Sequence, residues 1–276
     1  MSASQNTPPS DQAYARIRDL VYRKAGIVLS PDKDYLIQSR LAPVARNHGF
    51  DSIEKMALGI QKGSSALDEA VIDALTTNET SFFRDVRPFD ALRETVLPDL
   101  IAKRSTERRL NIWCGASSSG QEPYSFLILL AEHFPEVLGW DVTFLATDIS
   151  DTMLARCREG VYSQLEVSRG LAAKLLVKHF DKEGTRWRVK PELRSMVEFR
   201  HQNLLDPLPN VPPLDLVMMR NVLIYFDDAT KEDILRRTRR KMAPDGYLFL
   251  GSGEFTRGAD YSRESAGNVN YYRPAA

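Results

Sequence analysis

Residues 109–133 read RLNIWCGASSSGQEPYSFLILLAEH, and the order of features in this stretch decides the fold class. Arg109–Cys114 is a short run with Leu, Ile and Trp, the composition of a strand. Gly115–Gly120 contains only Gly, Ala and Ser, which is a loop. Glu122–His133 is an apolar-rich helix. The pattern then repeats. Asp141–Asp148 (DVTFLATD) is a second strand and Ser150–Arg158 a second helix, with further strands predicted at Met196–Arg200, Leu214–Met219, Tyr247–Gly251 and Val269–Tyr272. Alternating strands and helices imply an α/β fold, a mostly parallel sheet with helices on both faces. Residues 160–195 interrupt the rhythm with a helix over Arg169–Phe180 and a short alternating strand at Thr185–Lys190, so they read as an inserted subdomain.

The first part of the chain is different. Residues 1–12 are polar and proline-containing and are expected to be a disordered tail. Ala13–Lys24 and Asp34–Arg46 carry apolar residues at helical spacing, Ile17, Leu20 and Val21 in one and Ile37, Leu41 and Val44 in the other. Pro43 predicts a break in the second of these helices. Two shorter helices are predicted at Ser52–Gln61 and Ser65–Leu75, and another over Val86–Lys103. The organisation is therefore a helical domain over 13–85, a linker helix over 86–108, and the α/β domain over 109–276. Tyr14–His48 holds seven Lys/Arg against three Asp, whereas Asp51–Glu79 holds two Lys against six acids. The first helices thus present either a solvated basic face or a surface for an acidic partner.

Composition narrows the function. The chain has 276 residues, with 37 Lys plus Arg against 37 Asp plus Glu. Zero net charge argues against a dedicated nucleic-acid binder, which needs basic excess to neutralise phosphates. With 43% apolar and 27% charged residues the chain is ordinary globular protein. No apolar run is long enough for a membrane span, and the opening MSASQNTPPSDQ lacks the apolar core of a secretory signal. Cys114 and Cys157 have no partners at metal-ligand spacing and read as reduced thiols. A cytoplasmic protein without a metal is expected.

Ligands of open α/β sheets sit at the carboxyl ends of the strands. The loop after the first strand is no P-loop, because Gly120 is followed by Gln121 and Glu122 rather than by Lys and Ser/Thr. It also lacks the G-x-G-x-x-G dinucleotide fingerprint. Glu122 at the helix start repels phosphate and suits a cationic group, or serves only as a favourable first-turn acid. Asp148 ends the second strand, where an acid can accept from a ribose diol or cap the next helix. A phosphate-hostile loop with a ribose acid suggests S-adenosylmethionine, a nucleoside with sulfonium, ammonium and carboxylate groups and no phosphate.

Four segments then combine: NETSFFRD at Asn78–Asp85, WCGASSSGQEPYS at Trp113–Ser125, ATDIS at Ala146–Ser150, and RNVLIYF at Arg220–Phe226. As a set they resemble the CheR family, S-adenosylmethionine-dependent methyltransferases that methylate glutamates of bacterial chemoreceptors, over about Tyr14 to Tyr272. The resemblance implies a class I methyltransferase fold, Rossmann-like with a seven-stranded mixed sheet of which one strand is antiparallel. A small all-α N-terminal domain and a small β-subdomain insertion go with it. It also implies roles. Asn78, Thr80 and Arg84 would contact the cofactor, Arg84 near its methionine part. Glu122 would meet the ammonium, Asp148 the ribose, and Asn203 with Leu204 the adenine. Arg220 and Asn221 would line the cofactor, and Tyr225 would lie close to the transferring methyl, with Arg84 and Arg220 helping to position charge. Ser118 or its neighbour stands where many relatives have Cys, and Gln121 where many have Glu. Each residue also has a plain structural reading: Asn78 and Thr80 as caps, Arg84 paired with Asp85 or Asp90, Tyr225 as a core aromatic.

The implied reaction gives a glutamate methyl ester. The acceptor, with a pKa of about 4.3, is already an anion, so no general base is assigned. His48, His133, His179 and His201 all lie outside the four segments. Lys33, Arg40 and Arg46 are the expected docking residues for an acidic helical region of a chemoreceptor. The expected protein is a monomer, recruited to membrane receptor clusters without inserting into the membrane and without binding nucleic acid. The short turn Phe180–Thr185 (FDKEGT) leads us to expect action independent of any receptor tether. Rival readings are another methyl acceptor, such as a small carboxylic acid or RNA, and a non-catalytic cofactor-binding module.

Overall fold

The computed structural model describes residues 8–60, 65–208, 210–256 and 260–275. The chain divides into two compact units: one runs to Thr77 and includes Tyr225–Thr230, and the other comprises Asn78–Ile224 and Lys231–Ala276. The sequence reading drew its boundary at 85; by packing, Asn78 onward belongs with the sheet. Phe82 explains this, being fully buried with edge-on contacts to Tyr162 and Phe180 at 5.0 and 5.6 Å between ring centroids.

The first unit is all helical. Of the tail expected over 1–12, residues 1–7 lie outside the described residues, and helix α1 (Asp11–Ala25) begins inside it. It starts there because the Ser10 hydroxyl accepts from the Ala13 amide and Glu54 accepts from the Ser10 amide at 2.9 Å, satisfying donors that a helix start leaves open. Helix α2 (Asp34–Asn47) runs unbroken through Pro43, against expectation. A proline removes one N–H and crowds one carbonyl; here Ile37, Leu41 and Ala45, buried on both sides of it, hold the helix together. Helices α3 (Ile53–Ile60) and α4 (Ser65–Leu75) complete a core of Ile17, Leu20, Val21, Met56, Leu67 and Val71. Gln61, the expected end of the third helix, lies outside the described residues. The segment Tyr225–Thr230 is tied to this unit: the Val28 amide donates to the Tyr225 carbonyl at 2.8 Å and the Tyr22 hydroxyl to Asp227 at 2.7 Å.

The second unit is built on strands β1 (Arg109–Gly115), β2 (Asp141–Asp148), β3 (Val161–Ser163), β4 (Phe180–Glu183), β5 (Arg186–Val189), β6 (Glu198–His201), β7 (Leu214–Met219), β8 (Met242–Leu250), β9 (Tyr261–Ala266) and β10 (Val269–Pro274). Seven form one sheet in the order β6-β2-β1-β7-β8-β10-β9, with β10 alone running antiparallel. This is the class I methyltransferase arrangement. The switch point lies between β1 and β7, where strand order reverses. β7 is buried along its whole length, as a central parallel strand should be. β9 escaped the sequence reading because YSRESA is polar and half-exposed, the chemistry of an edge strand. A second, three-stranded sheet, β3-β5-β4, occupies the insertion, and its β4–β5 connection is the two-residue turn Gly184-Thr185. Among the described residues no helix is long and apolar enough to cross a membrane.

The helix expected over 86–103 forms as three consecutive stretches, Arg87–Ala91, a π turn at Leu92–Val96, and Leu97–Lys103. The π turn falls where the Pro98 ring would meet the Glu94 carbonyl of a regular α-helix. Arg104 then anchors the helix end to the sheet. Its guanidinium meets Asp215 at 2.7 Å and Asp245 at 2.6 Å. Asp215 is 4% exposed in its side chain, and its other oxygen accepts the Asn111 amide at 2.8 Å. Removing the cation strands a buried carboxylate. Arg104→Leu is therefore expected to destabilise the fold by about 3–5 kcal/mol, measured by chemical denaturation at pH 7. Arg104 also holds the Asp245 carboxyl below the usual carboxylate range. A carboxyl lowered in the folded state stabilises above its unfolded value of about 3.9 and loses that contribution as pH falls through the folded value. The gap between wild type and variant should consequently shrink below about pH 4, and a gap that widens on acidification would contradict the assignment.

Candidate active site

The carboxyl ends of β1, β2, β6 and β7 lie side by side: Gly115 pairs with Thr147, Asp148 with His201, and Cys114 with Met218. The loop leaving β1 is tightly wound. Ala116, Ser118 and Gly120 take positive φ values of 58°, 49° and 94°. Gly120 has no room for a side chain, since a Cβ there would meet the Tyr162 hydroxyl at 3.0 Å and Cys157 Sγ at 3.1 Å. This residue opens the helix Gln121–His133 and sets Glu122 in its first turn, where the helix dipole favours an anion.

Asp148 braces the loop. One carboxylate oxygen accepts the Ser118 amide at 2.8 Å and the other the Ser150 amide at 2.9 Å. The cap of the following helix is Ser150 itself, whose hydroxyl accepts from Met153. A carboxylate oxygen can accept more than one hydrogen bond, so bracing and ligand recognition are compatible. The Ser118 hydroxyl donates to the Asn78 carbonyl at 2.8 Å, which joins NETSFFRD to the loop. Asn203 and Leu204 follow β6, where the Gln202 amide donates to the Asp148 carbonyl at 2.9 Å. The Asn203 side-chain oxygen closes a local turn on the Leu205 amide.

Arg220 sits just past β7 with a side chain only 2% exposed. It donates to Glu122 at 2.6 Å, to Asp85 at 2.8 Å and to the Arg84 carbonyl at 3.0 Å. The guanidinium also lies 5.8 Å from the centre of the Phe89 ring, in cation–π range. Glu122 and Asp85 thus bring two negative charges to one cation, leaving an excess suited to a positively charged ligand. Behind Glu122, burial and then the Glu122 charge push the Cys114 thiol up, and burial pushes Cys157 up to about 12. Both are neutral thiols, unsuited to nucleophilic work.

The segment NETSFFRD is strained. Phe83, Asp85 and Val86 have φ of 47°, 67° and 52°, and the Arg87 amide reaches back to the Asp85 carbonyl at 2.5 Å. That is a γ-turn centred on Val86, a rare conformation for a β-branched residue. The Phe83 amide is held by the Ser125 hydroxyl at 2.9 Å. The Arg84 side chain pairs with neither Asp85 nor Asp90; it donates to the Glu79 carbonyl at 2.8 Å. Thr80 is half-buried in the same stretch.

The structure therefore brings Glu122 and Arg220 into one cluster, to which Arg84 contributes its backbone carbonyl while its side chain turns to the Glu79 carbonyl, and links Asn78, Asp148 and Asn203–Leu204 through the β1 loop and the end of β2. Asn221 joins a different partner: its amide donates to Glu254 at 2.8 Å. Tyr225 belongs to the helical unit together with Lys33, Arg40 and Arg46. Lys33 and Arg46 are exposed, but Arg40 donates to the carbonyls of Leu75 and Thr76 at the end of α4. Sequence reasoning missed Asp85 as the partner of Arg220, and it missed Glu254, whose signal is an acid in the glycine-rich GSGE run after a buried strand. Among the described residues no three His, Cys, Asp or Glu side chains gather as a metal site requires.

Among the buried polar atoms of the described residues that lack a hydrogen-bond partner are Arg220 Nε and Asn221 Oδ1, just past β7, and Ser117 Oγ in the β1 loop. With the anionic excess and the small-residue loop, they fit a polar, partly cationic ligand such as S-adenosylmethionine.

Comparison with known proteins bears on the same residues. Residues 78–269 match the family model described as CheR methyltransferase, SAM binding domain, and residues 12–76 match CheR methyltransferase, all-alpha domain. The chain is 44% identical to chemotaxis protein methyltransferase 1 of Pseudomonas aeruginosa, over 87% of this chain and 89% of that one. It is 42% identical to chemotaxis protein methyltransferase Cher2 of Pseudomonas putida, over 89% and 90%. It is 37% identical to the chemotaxis protein methyltransferase of Salmonella typhimurium, over 92% and 87%. With both of its units matched and its sheet in class I order, the chain belongs to the CheR family of S-adenosylmethionine-dependent methyltransferases.

Proposed function

We propose that this protein methylates glutamate side-chain carboxylates of chemoreceptors, forming methyl esters for sensory adaptation. The observation that carries the reading is the buried Arg220 held between Glu122 and Asp85 at the carboxyl end of β7. S-adenosylmethionine supplies an electrophilic methyl on a sulfonium centre. Asp148 accepts from its ribose, Asn203 and Leu204 flank its adenine, and Glu122, kept in place by Arg220, faces its ammonium. Asn78, Thr80 and Asn221 contribute further polar contacts, and Arg84 neutralises the methionine carboxylate.

The acceptor glutamate arrives as an anion and gives up no proton. What the protein supplies is orientation and removal of water, because an anion meeting a cation loses charge on the way to the transition state and water favours the separated ions. Fixing two reactants in line is worth roughly 7–11 kcal/mol in intramolecular models. Tyr225 orients a carboxylate oxygen through its hydroxyl. Arg220 is held by two carboxylates and a carbonyl, so its part is to set Glu122 rather than to touch the acceptor. No metal is called for.

Docking falls to Lys33 and Arg46, with Arg40 shared between a receptor helix and the end of α4. Exposed ion pairs contribute about 0–1 kcal/mol each, so receptor binding should weaken with salt. The protein acts as a monomer at receptor clusters, with no tether gripped by the tight β4–β5 turn.

The direct test incubates the enzyme with methyl-labelled S-adenosylmethionine and cytoplasmic receptor fragments. Base-labile label on glutamate is expected; absence of transfer to every receptor, with cofactor binding intact, would overturn the assignment of the acceptor. Two variants separate the roles. Asp148→Ala should weaken cofactor binding by about 1–3 kcal/mol, read by calorimetry. Tyr225→Phe should lower kcat and leave the cofactor Kd in place. Equal effects of both variants on both quantities contradict the division of labour.

A further inference from the structure

Glu254 lies just beyond the end of β8, 8% exposed, in a turn closed by its own amide donating to the Gly251 carbonyl at 2.9 Å. Its carboxylate accepts three backbone N–H groups. One oxygen takes the amides of Gly251 at 2.6 Å and Asn221 at 2.8 Å; the other takes that of Ile224 at 3.2 Å. Backbone amides of two separate segments thus converge on one charge, and charge-assisted hydrogen bonds of this kind are the strong ones. Asn221 adopts φ of 60°, a left-handed conformation that asparagine tolerates better than most residues. In that conformation Asn221 Oδ1 is buried with no partner among the described residues. Gly251 completes the clamp: a Cβ there would come within 2.7 Å of Asn221 Nδ2 and of Glu254 Oε2.

We propose that Glu254 is a positioning residue for the cofactor site, acting through Asn221. The carboxylate fixes the chain after β7 in the conformation that presents the unpartnered Asn221 oxygen to the cofactor, and Gly251 supplies the space that lets the two segments meet. The inference rests on the reading above that Asn221 lines the cofactor. It adds a residue outside the four sequence segments to the machinery.

The test measures the affinity for S-adenosylhomocysteine by calorimetry, which needs no acceptor. Glu254→Gln keeps the shape but turns an N–H group towards at least one backbone donor. Gly251→Ala crowds Asn221 and the Glu254 carboxylate from the other side while keeping the carboxylate's charge. Each is expected to weaken binding by about tenfold, roughly 1.4 kcal/mol, with the thermal midpoint of each variant near that of wild type. Combining either change with Asn221→Ala should add little to the loss from Asn221→Ala alone, because coupled residues act as a unit. Folded Glu254→Gln and Gly251→Ala proteins that bind as wild type does, beside a weakened Asn221→Ala, overturn the proposal and leave the site assignment standing. Wild-type binding by Asn221→Ala overturns both. Failure to methylate any receptor, with these binding losses intact, removes the proposed acceptor and leaves the clamp in place.

Discussion

A guanidinium withdrawn from water at the end of β7 is the constraint on which the sheet unit's working end depends. Desolvating Arg220 costs several kcal/mol, and the cost is offset only if its donors find anions in good geometry. They find two, Glu122 from the helix after β1 and Asp85 from the strained turn, and a carbonyl besides. Three segments far apart in sequence are thereby fixed at the switch point of the sheet. Arg220, Glu122 and Asp85 together keep a surplus negative charge, which suits a cationic group better than a phosphate.

That requirement accounts for the unfavourable backbone nearby. A valine centred in a γ-turn and three non-glycine residues at positive φ within four positions would not persist on local preference alone. They persist because Asp85 is held by Arg220 on one side and Phe82 is locked between Tyr162 and Phe180 on the other, with the Phe83 amide tied to Ser125. Strain of this kind concentrates where a side chain must be aimed. The aromatic contacts of Phe82 also explain why the insertion carrying β3–β5 packs beside NETSFFRD: it forms one wall of the pocket that receives that ring.

The architecture was largely legible in the chain. The strand–loop–helix alternation from Arg109 onward announced the sheet, and helical periodicity announced α1 and α2. The exceptions have plain causes. A polar edge strand such as β9 carries little hydrophobic signal. Pro43 marks a break only if packing does not override it, and the Ile37–Leu41–Ala45 stripe does. Within the site, residue types were readable but partners were not. Asp148 was readable as a ribose acid or a cap, but the two amides it braces, those of Ser118 and Ser150, were not. Arg40 was readable as a docking candidate, but its contact with the carbonyls at the end of α4 was not.

What the sequence determined by itself was the kind of molecule: a phosphate-averse glycine loop, an acid closing the second strand, and four segments whose order is specific to one family. These are local properties, set by side-chain chemistry and by what a short backbone stretch can adopt. The tertiary structure alone decided which charges meet. Arg220 finds Asp85 and Glu122, and Asn221 finds Glu254, across long spans of chain. Hydrogen bonds and ion pairs act over a few ångströms, and only the closed sheet brings those groups within that reach.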